Sequence, residues 1–318
     1  MALEQTILPP GFADVSVITP AFNARETVVR TLASIAAQTL RPREIIVVDD
    51  GSTDATVAAA EAFAPEMRGI ALNVLRQGNE GAASARNRAI LTAKHHWLAF
   101  LDADDEWLPT KVERCMAELV RHGADMAVHD YIRVEGSNEC TVDCTRRCPP
   151  GTDPFVAQLL YGFISSTTVV VRRELVLRAG GFDPGLRSSH DYELWLALLA
   201  EPEMRFCMIP EALSRYHIVP GGITSNVGLR RATSLVALSR HWRTLKGRTI
   251  LPAAVATVRA AIAHMQAAKM NWAINRPNAA LMDILSTPAS LIRLFADLPP
   301  PRRPDFLAGI RVRPPARS

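Results

Sequence analysis

Three short polar clusters in this sequence are candidates for chemistry, and each ends or follows a run of apolar residues. They are Pro20-Ala-Phe-Asn23, Asp49-Asp50-Gly51-Ser52 and Asp102-Ala-Asp-Asp105. Two of the three are acidic. Carboxylates gathered at one place repel each other unless a cation or a donor ligand balances them. Hard oxygen ligands that share a partly hydrated cation with phosphate suit Mg²⁺ or Mn²⁺. A helix cap accounts for Asp54, which precedes a helical pattern. It does not account for Asp102 and Asp104, because one cap does not need three carboxylates in four residues.

The elements that must position these clusters follow from periodicity. Residues 15–19 are β-rich and stop at Pro20, and residues 27–38 place Val28, Leu32 and Ile35 on one helical face. Residues 44–48 are almost wholly apolar, as in a strand buried on both faces, and run into Asp49. Helix 55–63, strand 71–76, helix 82–92, strand 97–101, helix 109–122 and strand 125–133 follow. This alternation predicts an α/β fold with a mostly parallel central sheet flanked by helices. Ligands of such sheets bind beyond the carboxyl ends of the strands, so the three clusters are expected at one edge. Residues 136–152 read as a polar loop. Strand 167–171, helix 173–179, a turn at 180–184, helix 192–200 and a short strand 206–209 come next. Ala-rich helical patterns at 229–245, 253–274 and 278–285 then suggest a small C-terminal helical appendage. The expected organisation is a lead at 1–13, a main domain at 14–226, the appendage at 227–298 and a basic Pro/Arg-rich tail at 299–318.

Composition narrows the class. The chain has 318 residues, 48% hydrophobic and 21% charged, which fits about two globular domains and excludes a disordered or collagen-like chain. A net charge of +4 is too weak to argue for nucleic acid. Residues 301–318 hold five arginines against Asp305, and the remaining charges balance. No apolar run approaches the roughly 18–20 residues of a membrane span. Residues 1–10 contain Glu4 and no basic start, so no signal peptide is expected and residence is expected to be cytoplasmic. Cys140, Cys144 and Cys148 lack a close fourth Cys or His, so they read as thiols in a polar loop. Cys115 and Cys207 read as core.

The motifs together resemble the family 2 glycosyltransferases of the GT-A (nucleotide-diphospho-sugar transferase) fold. The resemblance rests on Val15-Ser-Val-Ile-Thr-Pro-Ala-Phe-Asn23, Ile45-Ile-Val-Val-Asp-Asp-Gly-Ser-Thr-Asp54 and Asn79-Glu-Gly81 with Ala85-Arg-Asn87. It also rests on Leu101-Asp-Ala-Asp-Asp105 and His190-Asp-Tyr-Glu-Leu-Trp195. It implies a metal-dependent, inverting transfer of a sugar from a nucleoside diphosphate-sugar to a hydroxyl of a glycan or glycolipid. Pro20, Phe22, Asn23, Asp50 and Gly51 would surround the nucleotide, with Asp50 accepting a hydrogen bond from the base. Asp102 and Asp104 match the D-x-D motif. Asp104 would hold Mn²⁺ or Mg²⁺, and Asp102 the ribose or a metal-bound water. Arg86 would reach a phosphate or the sugar, and His217 would complete the metal shell beside a moving loop at Gly221 and Gly222. Asp191 matches the general base, with Glu193 as runner-up, although a carboxylate there also reads as a helix N-cap.

The sequence departs from the family pattern at three places. Phe22 stands where Tyr is usual, His190 where an acidic residue is common, and the Cys-rich segment has no counterpart. Trp107 and Trp195 are either faces for sugar rings or core residues. Three rival readings are a receiver-like signalling domain, a phosphohydrolase built on Asp102 and Asp104, and a non-catalytic nucleotide-sugar-binding protein. The tail is either a solvated end or a peripheral contact with an anionic membrane at its inner face. The sugar, the base, the acceptor and the oligomeric state stay open.

Overall fold

A computed structural model describes residues 11–219 and 226–296. The strands are β1 (Phe12–Ala21), β2 (Arg41–Asp49), β3 (Ala71–Arg76), β4 (Trp97–Phe100), β5 (Glu106–Trp107), β6 (Met126–Glu135), β7 (Asn138–Val142), β8 (Val170–Arg172) and β9 (Phe206–His217). The helices are α1 (Val28–Ala36), α2 (Thr56–Ala62), α3 (Ala82–Thr92), α4 (Lys111–His122), α5 (Cys144–Arg147), α6 (Pro154–Tyr161), α7 (Arg173–Arg178), α8 (His190–Ala200), α9 (Val227–His241), α10 (Pro252–Ala273), α11 (Pro277–Leu285) and α12 (Thr287–Phe295).

One sheet runs in the order β3-β2-β1-β4-β8-β6-β9-β5, with β7 paired to β6. Strands β3, β2, β1 and β4 are mutually parallel, and β8 then pairs antiparallel with β4 and β6. The apolar runs of β1 and β2 point alternate side chains to opposite faces, as the pleat requires. Val17, Ile45 and Val47 pack with Leu32 and Ile35 of α1 on one side. Ile18, Ile46 and Val48 pack with Phe100, Phe182 and Trp195 on the other. The register sets Ala21 opposite Asp49 and Ile18 opposite Phe100, so the expected clusters do leave one edge of the sheet.

Several expectations need correction. The strand expected at 206–209 runs to His217, because β9 pairs in parallel with β6 along nearly its whole length. Residues 136–152 are not a bare loop: β6 and β7 form a hairpin, and Asp143 caps α5 by accepting from Arg146 N–H. Cys144 and Cys148 are accordingly buried, Cys144 Sγ lying 3.2 Å from the Phe163 carbonyl oxygen, and only Cys140 of the row is exposed. Trp107 and Trp195 are both core residues, with the Trp107 indole N–H donating to the Thr167 carbonyl. Neither offers a face to a sugar.

The C-terminal helices are joined tightly to α8. Arg240 reaches Asp183 at 2.8 Å and Glu193 at 3.4 Å, His241 reaches Glu193 at 3.2 Å, and Arg259 Nε donates to the Tyr192 hydroxyl at 3.2 Å. The charge balance outside the tail proves to be an average of two unlike parts. Residues 1–226 hold 21 basic residues against 29 acidic ones, while residues 227–296 hold ten against Asp283 alone. The segment at Gly221 and Gly222 and the tail lie outside the described residues.

Candidate active site

The first wall of the site is built by the ends of β1 and β2. Pro20 is buried opposite Val48, and Phe22, just beyond the strand, is 49% exposed at the edge. Asn23 takes a left-handed backbone (φ 48°), which Asn tolerates better than most residues. It clasps the next turn: its N–H donates to Ser52 Oγ at 2.8 Å, and its Oδ1 accepts from Thr53 N–H at 2.9 Å. Gly51 (φ 79°) lets that turn pass Asn79, whose backbone nitrogen would lie 3.0 Å from a Cβ.

Asp50 organises the neighbouring loop. Its Oδ1 accepts from the Gln77 side chain and from Glu80 N–H, and its Oδ2 accepts from Gly81 N–H, each at 2.9 Å. A carboxylate has about four acceptor positions, so three are used inside the protein. The expected bond to a nucleotide base has to use what is left.

The second wall is the acidic turn after β4. Burial and the neighbouring Asp102 push the Asp104 carboxyl up to about 6. Burial, with Asp104 and Asp102 nearby, pushes Asp105 well above the usual carboxylate range. Asp105 Oδ1 accepts from His217 N–H at 2.9 Å, and its buried Oδ2 has no partner among the described residues. Three carboxylates with this much mutual repulsion fit a divalent cation bound through hard oxygens. Among the described residues no three His, Cys, Asp or Glu side chains form a preassembled metal cage. That suits Mg²⁺ or Mn²⁺, which is held by one or two carboxylates and completed by substrate phosphate. The His217 ring is engaged elsewhere, with Nε2 2.7 Å from Glu106 Oε1.

The third wall is the start of α8. Ser189 stands at the N-cap in a left-handed conformation, so Asp191 belongs to the first turn and is not the cap. Half-buried, Asp191 accepts the Tyr192 N–H at 2.8 Å, where the helix dipole favours a carboxylate. Glu193 faces inward, 1% exposed and paired with Arg240 and His241, which removes it as an alternative base.

Arg86 of α3 links the second and third walls. One guanidinium nitrogen donates to Asp102 and another lies 2.6 Å from His190 Nε2. Its reach toward a phosphate is therefore limited by two protein partners. His190 Nδ1 lies 3.3 Å from the Leu186 carbonyl, so the ring donates there and offers its Nε2 lone pair to Arg86. Burial and the Arg86 charge push its pKa down to about 4, which keeps the ring neutral.

Sequence reading missed two contributors. Asn87 grips the backbone of Phe182 with both side-chain atoms, accepting its N–H and donating to its carbonyl, each at 2.7 Å. Gly181 fits against it because a Cβ there would stand 2.5 Å from Asn87 Oδ1. The Ala85-Arg-Asn87 motif carried that signal without naming its target. Tyr216 was also overlooked: burial and then Asp105, Asp102, Asp191 and Asp104 all push its phenol upward. All four carboxylates therefore act on one hydroxyl.

A parallel half-sheet whose strand ends carry a turn clasped by Asn23, an acidic turn and a separate helix-borne carboxylate is the arrangement of a GT-A glycosyltransferase. The fold is that of a mannosyltransferase from Pyrobaculum calidifontis solved with GDP-Man and Mn²⁺. That likeness has a TM-score of 0.57 at 20% identity, covering 88% of this chain and 80% of that one. The chain belongs to glycosyl transferase family 2, whose model matches residues 16–178. It is 31% identical over 211 residues to the amylovoran biosynthesis glycosyltransferase AmsB of Erwinia amylovora, covering 64% of this chain and 69% of the relative. It is 27% identical over 231 residues to the Escherichia coli UDP-Glc:alpha-D-GlcNAc-diphosphoundecaprenol beta-1,3-glucosyltransferase WfgD, covering 73% and 85%. The signalling, phosphohydrolase and non-catalytic readings fall with this membership.

Proposed function

We propose that this glycosyltransferase is metal-dependent and inverting, and that it transfers a sugar from a nucleoside diphosphate-sugar to a hydroxyl of a growing surface glycan. The observation that carries the reading is the Arg86 bridge, which ties the donor-side carboxylate Asp102 to the residue beside Asp191. Support also comes from the donors named for the relatives, UDP-Glc and GDP-Man, and from Mn²⁺ beside the latter.

In this reading Phe22 and the Asn23–Gly51 turn hold the nucleotide, and Asp102 and Asp104 hold the cation. The cation supplies charge neutralisation to the departing diphosphate. Asp191 accepts the proton of the acceptor hydroxyl as its oxygen bonds to the anomeric carbon and the bond to diphosphate breaks. A single displacement inverts the anomeric centre and leaves no sugar on the enzyme. WfgD takes its name from a diphosphoundecaprenol-linked acceptor. A lipid-linked glycan at a membrane surface is accordingly the acceptor class proposed for this chain.

A panel of UDP-, GDP- and dTDP-sugars with Mn²⁺ tests the reading through binding and slow donor hydrolysis. At least one donor should bind only with the cation. Binding of every donor to the same extent with and without Mn²⁺ would overturn the metal dependence.

A further inference from the structure

Helix α10 is apolar on both of its faces. Ala256, Ala260, Ala263 and Ala267 are buried against the protein. On the opposite side, Leu251 just before the helix and Val258, Met265 and Trp272 within it are all exposed, Trp272 by 71%. These four recur every seven residues, which on a helix drifts only about 20° per step and so draws one stripe. Large apolar side chains lined up on an exposed helix face mark a surface that a partner or a membrane covers. Helices α11 and α12 add exposed Leu285 and Ile292.

The charge of the same region is one-sided. Its single carboxylate, Asp283, is buried and bonded to Arg231 and Asn271, so the described surface of residues 226–296 exposes no carboxylate. Lys269, Arg276 and Arg293 are exposed on it. Residues 297–318 add five arginines against two carboxylates. A second copy of this chain would set one basic face against another. An anionic lipid surface answers both properties, taking the apolar side chains below the headgroups and the cations among them. No helix among the described residues is long and apolar enough to cross a membrane.

We infer that the α10 stripe, with its basic surroundings, is a docking surface for an anionic membrane. Because α9 and α10 also grip α8 through Glu193 and Tyr192, and the turn before it through Asp183, the docked element is the one that fixes the helix of Asp191. The inference rests on the proposed lipid-linked acceptor only for its purpose. Vesicle binding is read without donor or acceptor, so its failure and a failure of the transfer reaction are separate results.

The test is co-sedimentation of the full chain with phosphatidylcholine vesicles and with phosphatidylcholine–phosphatidylglycerol vesicles. The protein should pellet with the anionic vesicles and be released by salt. Met265→Ser with Trp272→Ser should bind about tenfold more weakly, or less, from the lost apolar burial. Both positions are exposed, so the fold should persist. Lys269→Glu with Arg276→Glu and Arg293→Glu should lose the preference for anionic lipid. A blue shift of tryptophan emission on vesicle addition should vanish in Trp272→Phe. Unchanged pelleting of the double serine variant would overturn the inference. So would a lipid-free dimer that this variant converts to monomer, or complete loss of binding on replacing Arg311, Arg313 and Arg317 by Ser alone.

Discussion

Arg86 meets His190 at 2.6 Å through a buried guanidinium–imidazole contact, and the same guanidinium holds Asp102. With a neutral acceptor at 190, Arg86 has one carboxylate partner, Asp102, and the pair carries no net charge. His190→Glu should place a second carboxylate on Arg86 and make the group net negative beside the acidic turn. Donor affinity should fall about tenfold, while His190→Gln, which keeps a neutral acceptor, should stay near wild type. Calorimetric donor titration of the two variants distinguishes them. Equal affinities would show that charge at this position is irrelevant.

The same imidazole sets a pH dependence. His190 titrates near 6.5 when unfolded and near 4 when folded, so the unfolded chain binds the proton more tightly in that window. Stability is therefore full above about pH 6.5 and declines as pH falls toward 4, by roughly 2–3 kcal/mol for this group. Relative to its own value at pH 7, the urea midpoint of the wild type should fall further at pH 5 than that of His190→Gln. An identical loss in both would refute the buried neutral histidine.

Asp104 gives the opposite sign. Its pKa is raised to about 6, so without a cation the folded state loses stability as pH rises from about 4 to 6. Asp104→Asn should consequently stabilise the metal-free protein at pH 7 by about 1–2 kcal/mol. It should also abolish the thermal shift that Mn²⁺ with donor produces. A destabilised Asp104→Asn would contradict the repulsion described for this turn.

Much of this site was legible because the strands that carry it are buried on both faces. Such strands must be apolar throughout, so the polar residues at Asn23, Asp49 and Asp102 mark their ends sharply. Helix α8 was legible as apolar, but its starting residue was not. Ser189 has a left-handed backbone, and nothing in local propensity announces it. The use of Asp50 as a loop clamp, the grip of Asn87 on Phe182 and the burial of Glu193 depend on partners 27 to 95 positions away or on packing of α9, which no local pattern encodes. The charge segregation at residue 226 was present in the composition and concealed by averaging over the whole body.

Asn87 and Gly181 should behave as one unit. Asn87→Ala leaves both backbone groups of Phe182 without their side-chain partner, at a cost of about 2–3 kcal/mol. Gly181→Ala meets a 2.5 Å clash at a φ of +71° and should be destabilised to a similar degree. In the double variant the clash with Asn87 is relieved, so the two losses should add to less than their sum in denaturant melts. Strict additivity would separate the two residues.

The cysteine row gives a chemical check on the hairpin. Cys140 is exposed, whereas burial holds the thiols of Cys144 at about 12 and of Cys148 at about 11. Native protein should react rapidly with a thiol reagent at one site, and Cys140→Ser should remove that reaction. Rapid labelling of Cys144 or Cys148 would show that residues 136–152 are open.

In the proposed mechanism Asp191 is the base, and donor binding is a separate task of Asp102 and Asp104. The most direct measurement is Asp191→Asn assayed in parallel for Mn²⁺-dependent donor binding and for sugar transfer. Donor affinity should be unchanged while transfer falls by at least about a hundredfold. Full turnover by Asp191→Asn, or a sugar covalently trapped on Asp191 of the wild type, would contradict the account.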